Sequence, residues 1–153
     1  MNRFDMKLSA ISSNEAFARS CVAAFCVSLN PTIEEINDIK TAVSEAVTNS
    51  IVHGYEGDES QYIDLSVAID GNNTAIITVS DNGRGIEDVD KAMEPFFTTK
   101  PEQERSGMGF TLMRTFMDDV AVTSSADRGT TVTMTKIIRG QKDVGTRGHN
   151  QAD

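Results

Sequence analysis

The chain has 153 residues and a formal net charge of −9, from 14 Lys and Arg against 23 Asp and Glu. That length bounds it to one domain, and 39% hydrophobic residues with only three prolines supply enough apolar material for a single core, away from disordered and collagen-like compositions. The acidic balance, with a pI near 4.6, argues against direct nucleic-acid or anionic-membrane binding, because both need a local excess of cations.

Cys21 and Cys26 are the only cysteines. Five residues apart on a helix they are separated by roughly 7.5 Å along its axis, so no disulfide between them is expected. Neither His53 nor His149 lies near a Cys-x-x-Cys pair, which removes a zinc reading. The longest apolar stretch, 21–29, is about half of the ~18 residues a membrane span requires, and the start Met-Asn-Arg-Phe-Asp lacks signal-peptide form. A reduced, cytoplasmic protein is expected.

Phe4, Met6, Leu8 and Ala10 alternate with polar residues and predict a strand. Ser12 and Glu15 have capping-box spacing, and Phe17, Val22, Phe25 and Leu29 follow at helical spacing, with Ala18, Cys21 and Cys26 widening the apolar stripe. After Asn30-Pro31, Thr32 and Glu35 form a second capping box, and Ile36, Ile39, Val43, Val47 and Ile51 mark the core face of a long helix that stops at Gly54. Ile63 to Ile69 and Ala75 to Val79 alternate on either side of Asp70-Gly71-Asn72-Asn73, the pattern of an antiparallel hairpin. Between Asp88 and Ser106 the periodicity breaks down, and the polar run Thr98 to Ser106 reads as a mobile loop. A helix opening at Gly107-Met108-Gly109 turns Phe110, Met113, Phe116 and Met117 inward, and Val120 to Thr123 and Thr130 to Ile138 complete the domain. The fold class is α+β, one mixed, mostly antiparallel sheet with helices on one face. Residues 1–139 form the domain, and 140–153, without apolar period, read as a disordered tail.

Glu45 and Asn49 lie at i and i+4 on the polar strip of the second long helix, so their side chains share one space. Asp81-Asn82-Gly83-Arg84-Gly85 follows a strand, and Gly83 and Gly85 permit close approach of backbone to a ligand. Gly107-Met108-Gly109 precedes a helix whose N-terminal amides suit phosphate oxygens. Each feature alone is common in helices and turns that bind nothing. Their conjunction in chain order, together with Phe96-Phe97-Thr98-Thr99-Lys100 and Gly129-Thr130, is not.

This order resembles the Bergerat-fold nucleotide site of the superfamily that includes gyrase, histidine kinases and mismatch-repair ATPases, and no Walker-type Gly-x-x-x-x-Gly-Lys loop is present. Within it, the wording Glu45-Ala46-Val47-Thr48-Asn49-Ser50-Ile51-Val52-His53-Gly54 and Glu94-Pro95-Phe96-Phe97-Thr98-Thr99-Lys100-Pro101-Glu102 is similar to that of the anti-sigma F factors of spore-forming bacteria, from about Met1 to Ile138. The resemblance implies a two-layer Bergerat sandwich that binds ATP and Mg²⁺, phosphorylates a serine of an anti-anti-sigma protein and holds an RNA polymerase sigma factor.

By the same resemblance, Asp81 accepts a hydrogen bond from the adenine amino group and Thr130 supports that base edge through its hydroxyl. Asn49 holds Mg²⁺ through its amide oxygen, and Glu45 is the general base for the incoming hydroxyl. The segment Thr98, Thr99, Lys100, Arg105, Ser106, Gly107, Met108 and Gly109 closes over the phosphates. Arg19 matches a partner-contacting arginine, and the wide apolar first helix fits a homodimer. His53 reads as a helix-end residue rather than a catalytic one. Two alternatives stay open: a histidine-kinase-like catalytic domain, whose phosphorylatable hairpin does not precede this domain, and an ATP-dependent binding clamp without turnover.

Overall fold

The computed structural model describes residues 1–94 and 109–140. The expectations for Thr98, Thr99, Lys100, Arg105, Ser106, Gly107, Met108 and the tail after Gly140 lie outside these residues.

Alternation of apolar and polar residues builds five strands, β1 (Asn2–Ser9), β2 (Tyr62–Ile69), β3 (Thr74–Asp81), β4 (Asp119–Ser124) and β5 (Thr130–Ile137), in the order β1-β2-β3-β5-β4. The α+β class is as expected, and each of the four ladders is antiparallel. In β3 the period of two is strict: Ala75, Ile77, Val79 and Asp81 are buried, while Thr74, Ile76, Thr78 and Ser80 are only partly covered. The alternating side chains thus turn one face of the sheet to the core.

Over that face pack α1 (Ser13–Cys26), α2 (Ile33–Asn49) and α4 (Gly109–Phe116). Helix α2 starts where the sequence places it: Thr32 is extended, its hydroxyl accepts from Glu35 N–H at 3.0 Å, and Thr32 N–H donates to Glu35 at 2.9 Å. Ile39, Ala42, Val43, Ala46 and Val47 are buried at helical spacing. From α4, Met113 enters the same core.

Three local expectations are corrected. Ser12 has helical backbone angles and no side-chain cap; Asn14 instead donates to Ser9 O at 2.9 Å, and Glu15 pairs with Arg19 at 2.7 Å. Phe17, assigned to the inward stripe, is 52% exposed, because Ala18, Val22 and Cys26 take the core positions of α1. Within the segment read as aperiodic there is a one-turn helix, α3 (Val89–Ala92), capped by Asp88, whose carboxylate accepts from Lys91 N–H at 3.0 Å. Both cysteines are free, as expected, and burial pushes the Cys26 thiol up to about 11.

Candidate functional site

Strand β3 ends by carrying a carboxylate inward. Asp81 occupies the buried parity of the strand and is 6% exposed. A buried charge needs partners, and it has them: Gly83 N–H donates to Oδ1 at 2.9 Å, the Ser50 hydroxyl to Oδ2 at 2.8 Å, and the Thr130 backbone N–H also serves the carboxylate. Burial pushes the Asp81 carboxyl above the usual aspartate range, and these three donors offset part of that rise.

The second wall comes from the end of α2, where the structure departs from a continuous α-helix. Residues Ser50–Gly54 form a π turn, closed by Tyr55 N–H on Ser50 O at 2.9 Å. Such wider turns recur at functional sites. Here the turn brings Gly54 against the loop after β3, so that Arg84 N–H donates to Gly54 O at 2.9 Å. A Cβ on Gly83 would lie 2.1 Å from the same oxygen, which restricts that position to glycine. Gly85 has φ +74°, a conformation that also favours glycine. The Tyr55 hydroxyl accepts from Asn82 N–H at 2.8 Å and donates to Tyr62 O at 2.5 Å, anchoring the loop to β2.

Ser124 ties the third wall together. Its hydroxyl accepts from Ile86 N–H at 2.8 Å and donates to Gly129 O at 2.8 Å, and it lies 2.9 Å from Thr130 Oγ1. With the Ser124 proton given to Gly129, the Thr130 hydroxyl donates to Ser124 and keeps its lone pairs for a ligand.

These elements enclose an open cleft of about 680 Å³, within the range of small-molecule sites. Asn49, Asp81, Gly85, Gly109 and Thr130 line it, so residues far apart in sequence converge on one cleft, and Gly83 serves it through Asp81. Ser50 and His53, the latter in the last turn of the helical segment, also line it. Glu45 lies one turn before Asn49, partly buried, but is not among the described residues that line the cleft. Arg19 is elsewhere, between Glu15 at 2.7 Å and Ser44 Oγ at 3.5 Å. Ser50, Tyr55 and Ser124 are site residues that sequence reasoning missed. Ser50 had a visible signal: it is a polar residue on the apolar stripe of α2, next to Ile51, where only a hydrogen-bonded group is tolerated.

Residues 9–136 match the histidine kinase-like ATPase domain family. The chain is 52% identical over 141 residues to the anti-sigma F factor of Anoxybacillus flavithermus, covering 92% of this chain and 96% of that protein. It is 56% identical over 136 residues to the anti-sigma F factor of Clostridium botulinum, covering 88% and 94%. Among solved structures, the RsbU and RsbW domains of a Mycobacterium tuberculosis protein superpose with a TM-score of 0.65 at 19% identity, over 90% of this chain and 33% of that one. A histidine kinase domain from a blue-light activated kinase of Erythrobacter litoralis gives 0.55 at 21% identity, over 79% and 65%. These two likenesses establish the fold. With the buried Asp81 at the floor of its cleft, the chain belongs to the histidine kinase-like ATPase domain family, and within it to the anti-sigma F factors.

Proposed function

We propose that the chain binds an RNA polymerase sigma factor and, as an ATP-dependent protein serine kinase, phosphorylates a serine of an anti-anti-sigma protein. The observation that carries the nucleotide half is the buried Asp81 carboxylate on the same cleft as Asn49. An ionised carboxylate accepts only, and adenine offers an exocyclic amine at the position where guanine has a carbonyl. The lone pairs left on Thr130 Oγ1 serve the same base edge.

The described lining of the cleft carries five carboxylates, Asp81, Glu87, Asp88, Glu94 and Asp127, against the cations Arg84 and Lys91. A triphosphate there needs further positive charge. Asn49 would hold Mg²⁺ through its amide oxygen, in keeping with an ion that takes few protein ligands and leaves the rest to phosphates and water. When bound, the ion supplies charge to the phosphates. Lys100 and Arg105, with the amides of Gly107 and Gly109, would complete the neutralisation. Glu45 would accept the proton of the serine hydroxyl as its oxygen attacks the terminal phosphate and ADP leaves. Arg19 and the surrounding face of α1 would meet the protein partners, and the exposed Phe17 and Val27 suit a homodimer contact.

A second reading is favoured by one observation, the position of Glu45 off the described cleft lining: an ATP-loaded clamp that sequesters a sigma factor without turnover. Incubation with γ-labelled ATP and an anti-anti-sigma protein decides between them. The kinase reading expects phosphoserine on the partner. Absence of transfer with intact sigma-factor binding selects the clamp, and phosphohistidine selects a histidine-kinase-like enzyme.

A further inference from the structure

Asp81 is held more completely than an acceptor needs to be. Its carboxylate receives Gly83 N–H on Oδ1 and the Ser50 hydroxyl on Oδ2, and a Cβ placed on Gly54 would lie 2.9 Å from the carboxyl carbon and both oxygens. The bare Cα of Gly54 therefore packs against the carboxylate group, and the side chain has no free rotation. Ser50 is itself 5% exposed and keeps α-helical backbone angles at the end of α2, four residues after the buried Ala46, which turns its hydroxyl to Asp81 at 2.8 Å.

We propose that Ser50 is a specificity-determining positioning residue: by donating to Asp81 Oδ2 it keeps the carboxylate acceptor-only and aimed into the cleft, so that the site takes adenine and refuses guanine. The inference rests on the nucleotide reading above and adds a residue and a cause to it. A carboxylate that accepts from Ser50 is stabilised in its charged form. Without that donor, Asp81 faces the same burial with one fewer hydrogen bond, its carboxyl titrates higher, and it is free to turn. A protonated carboxyl has an O–H to donate, and guanine presents a carbonyl to receive it. Ser50 thus opposes the one protonation state in which the site would welcome the wrong base.

Other titratable groups share the cleft with Asp81 or lie close to it: His53, Arg84, Glu87, Asp88, Lys91, Glu94 and Asp127 on the lining, and Tyr55 and Asp64 beside it. All are unchanged in a Ser50→Ala protein, so a difference between the two proteins isolates the hydroxyl. Alanine removes one oxygen and is favourable in helical backbone. Two measurements test the proposal. The first is a residue-resolved carbon NMR titration of the Asp81 carboxyl in the nucleotide-free protein; the second is the ratio of ATP to GTP dissociation constants by calorimetry at about pH 6 and about pH 8. In Ser50→Ala the carboxyl should titrate at higher pH, and the preference for ATP should fall about tenfold at the lower pH, the size expected for loss of one hydrogen bond to a charged group. An Asp81 titration or an ATP-to-GTP ratio that stays at the unaltered protein's value overturns the proposal, including when ATP and GTP weaken together as for a packing defect. If the unaltered protein binds neither nucleotide, the adenine reading of the cleft fails, and base selection by Ser50 fails with it.

Discussion

At the scale of single residues, the site separates groups that bind from groups that act. Asp81 and Thr130 are locked into the protein's own hydrogen bonds before any ligand arrives, a preorganisation that lowers the cost of binding. Glu45 is not among the described residues that line the cleft. The two roles should come apart under mutation. Glu45→Gln keeps shape and hydrogen-bonding capacity but removes the base, so it should bind ATP and a sigma factor undiminished while transferring phosphate at least ~100-fold more slowly. Single-turnover transfer assays beside calorimetric ATP affinity read both halves, and transfer at the unaltered rate removes Glu45 from the role of base.

Among elements, the π turn Ser50–Gly54 contributes most to the site. It converts the end of a regular amphipathic helix into three neighbouring contacts: Ser50 on Asp81, Gly54 O on Arg84 N–H, and Tyr55 on the Asn82 amide. Because the Gly54 Cα lies so close to the carboxylate, Gly54→Ala should displace Asp81 and weaken ATP binding by tenfold or more. The fold should persist, since alanine favours helical backbone. Thermal melting together with ATP titration distinguishes this from global damage; undiminished ATP affinity in a folded Gly54→Ala protein would show that Asp81 does not need its present position. The start of α2 makes a contrasting case. Thr32→Ala removes a capping box far from the cleft and should cost about 1 kcal/mol of stability with no change in nucleotide affinity, read by urea denaturation and the same titration.

For the molecule as a whole, acid is the informative stress. Burial alone would push the Glu35 carboxyl up, but backbone N–H groups of Thr32, Arg139 and Gly140 outweigh it and hold it below the ordinary glutamate value. Asp118 follows the same pattern, burial being outweighed by Ile137 N–H and the Arg139 guanidinium. Both carboxylates pin the end of β5 and the residues after it, with Arg139 N–H on Glu35 at 2.7 Å and Ile137 N–H on Asp118 at 2.7 Å. A carboxyl whose folded pKa is depressed adds stability that is complete above its unfolded value, near 4, and is lost as pH falls through the lower folded value. Asp81 acts in the opposite sense: its pKa is raised, so its ionisation costs stability as pH climbs through that value. The net charge of −9 relaxes on the way down to the pI near 4.6, so self-repulsion adds to the loss only below that pH, where positive charge accumulates. Urea midpoints should therefore hold from neutrality to about pH 5 and fall below about pH 4. The fall should be shallower in Glu35→Gln, which starts from a lower neutral stability; an equally steep fall in that variant would place the acid sensitivity elsewhere.

Much of this was legible in the residues themselves. Period-two alternation specified β1, β2 and β3, because a sheet with one buried face cannot tolerate a register slip, while β4 and β5 were legible only as the β-rich segments Val120 to Thr123 and Thr130 to Ile138. Thr32 and Glu35 specified the start of α2, since a capping box is a local bond between residues three apart. The positions of Asn49, Asp81, Gly85, Gly109 and Thr130 on one cleft followed from their order along a recognisable fold. Other features required the tertiary structure. The Ser12 and Glu15 spacing is as good as that of Thr32 and Glu35, yet Ser12 is helical, Glu15 N–H bonds to the Ser12 carbonyl instead of its hydroxyl, and Arg19 takes the Glu15 carboxylate. Phe17 has the right period for the core and is displaced outward by the smaller Ala18, Val22 and Cys26, because α1 has only one face to bury. Nothing local distinguishes a π turn at Ser50–Gly54 from one more turn of α-helix; the close approach of the loop after β3 accompanies it. Local bonds and periodicity can be read along a chain, whereas competition among partners for the same donor, acceptor or buried volume is decided only when distant segments meet.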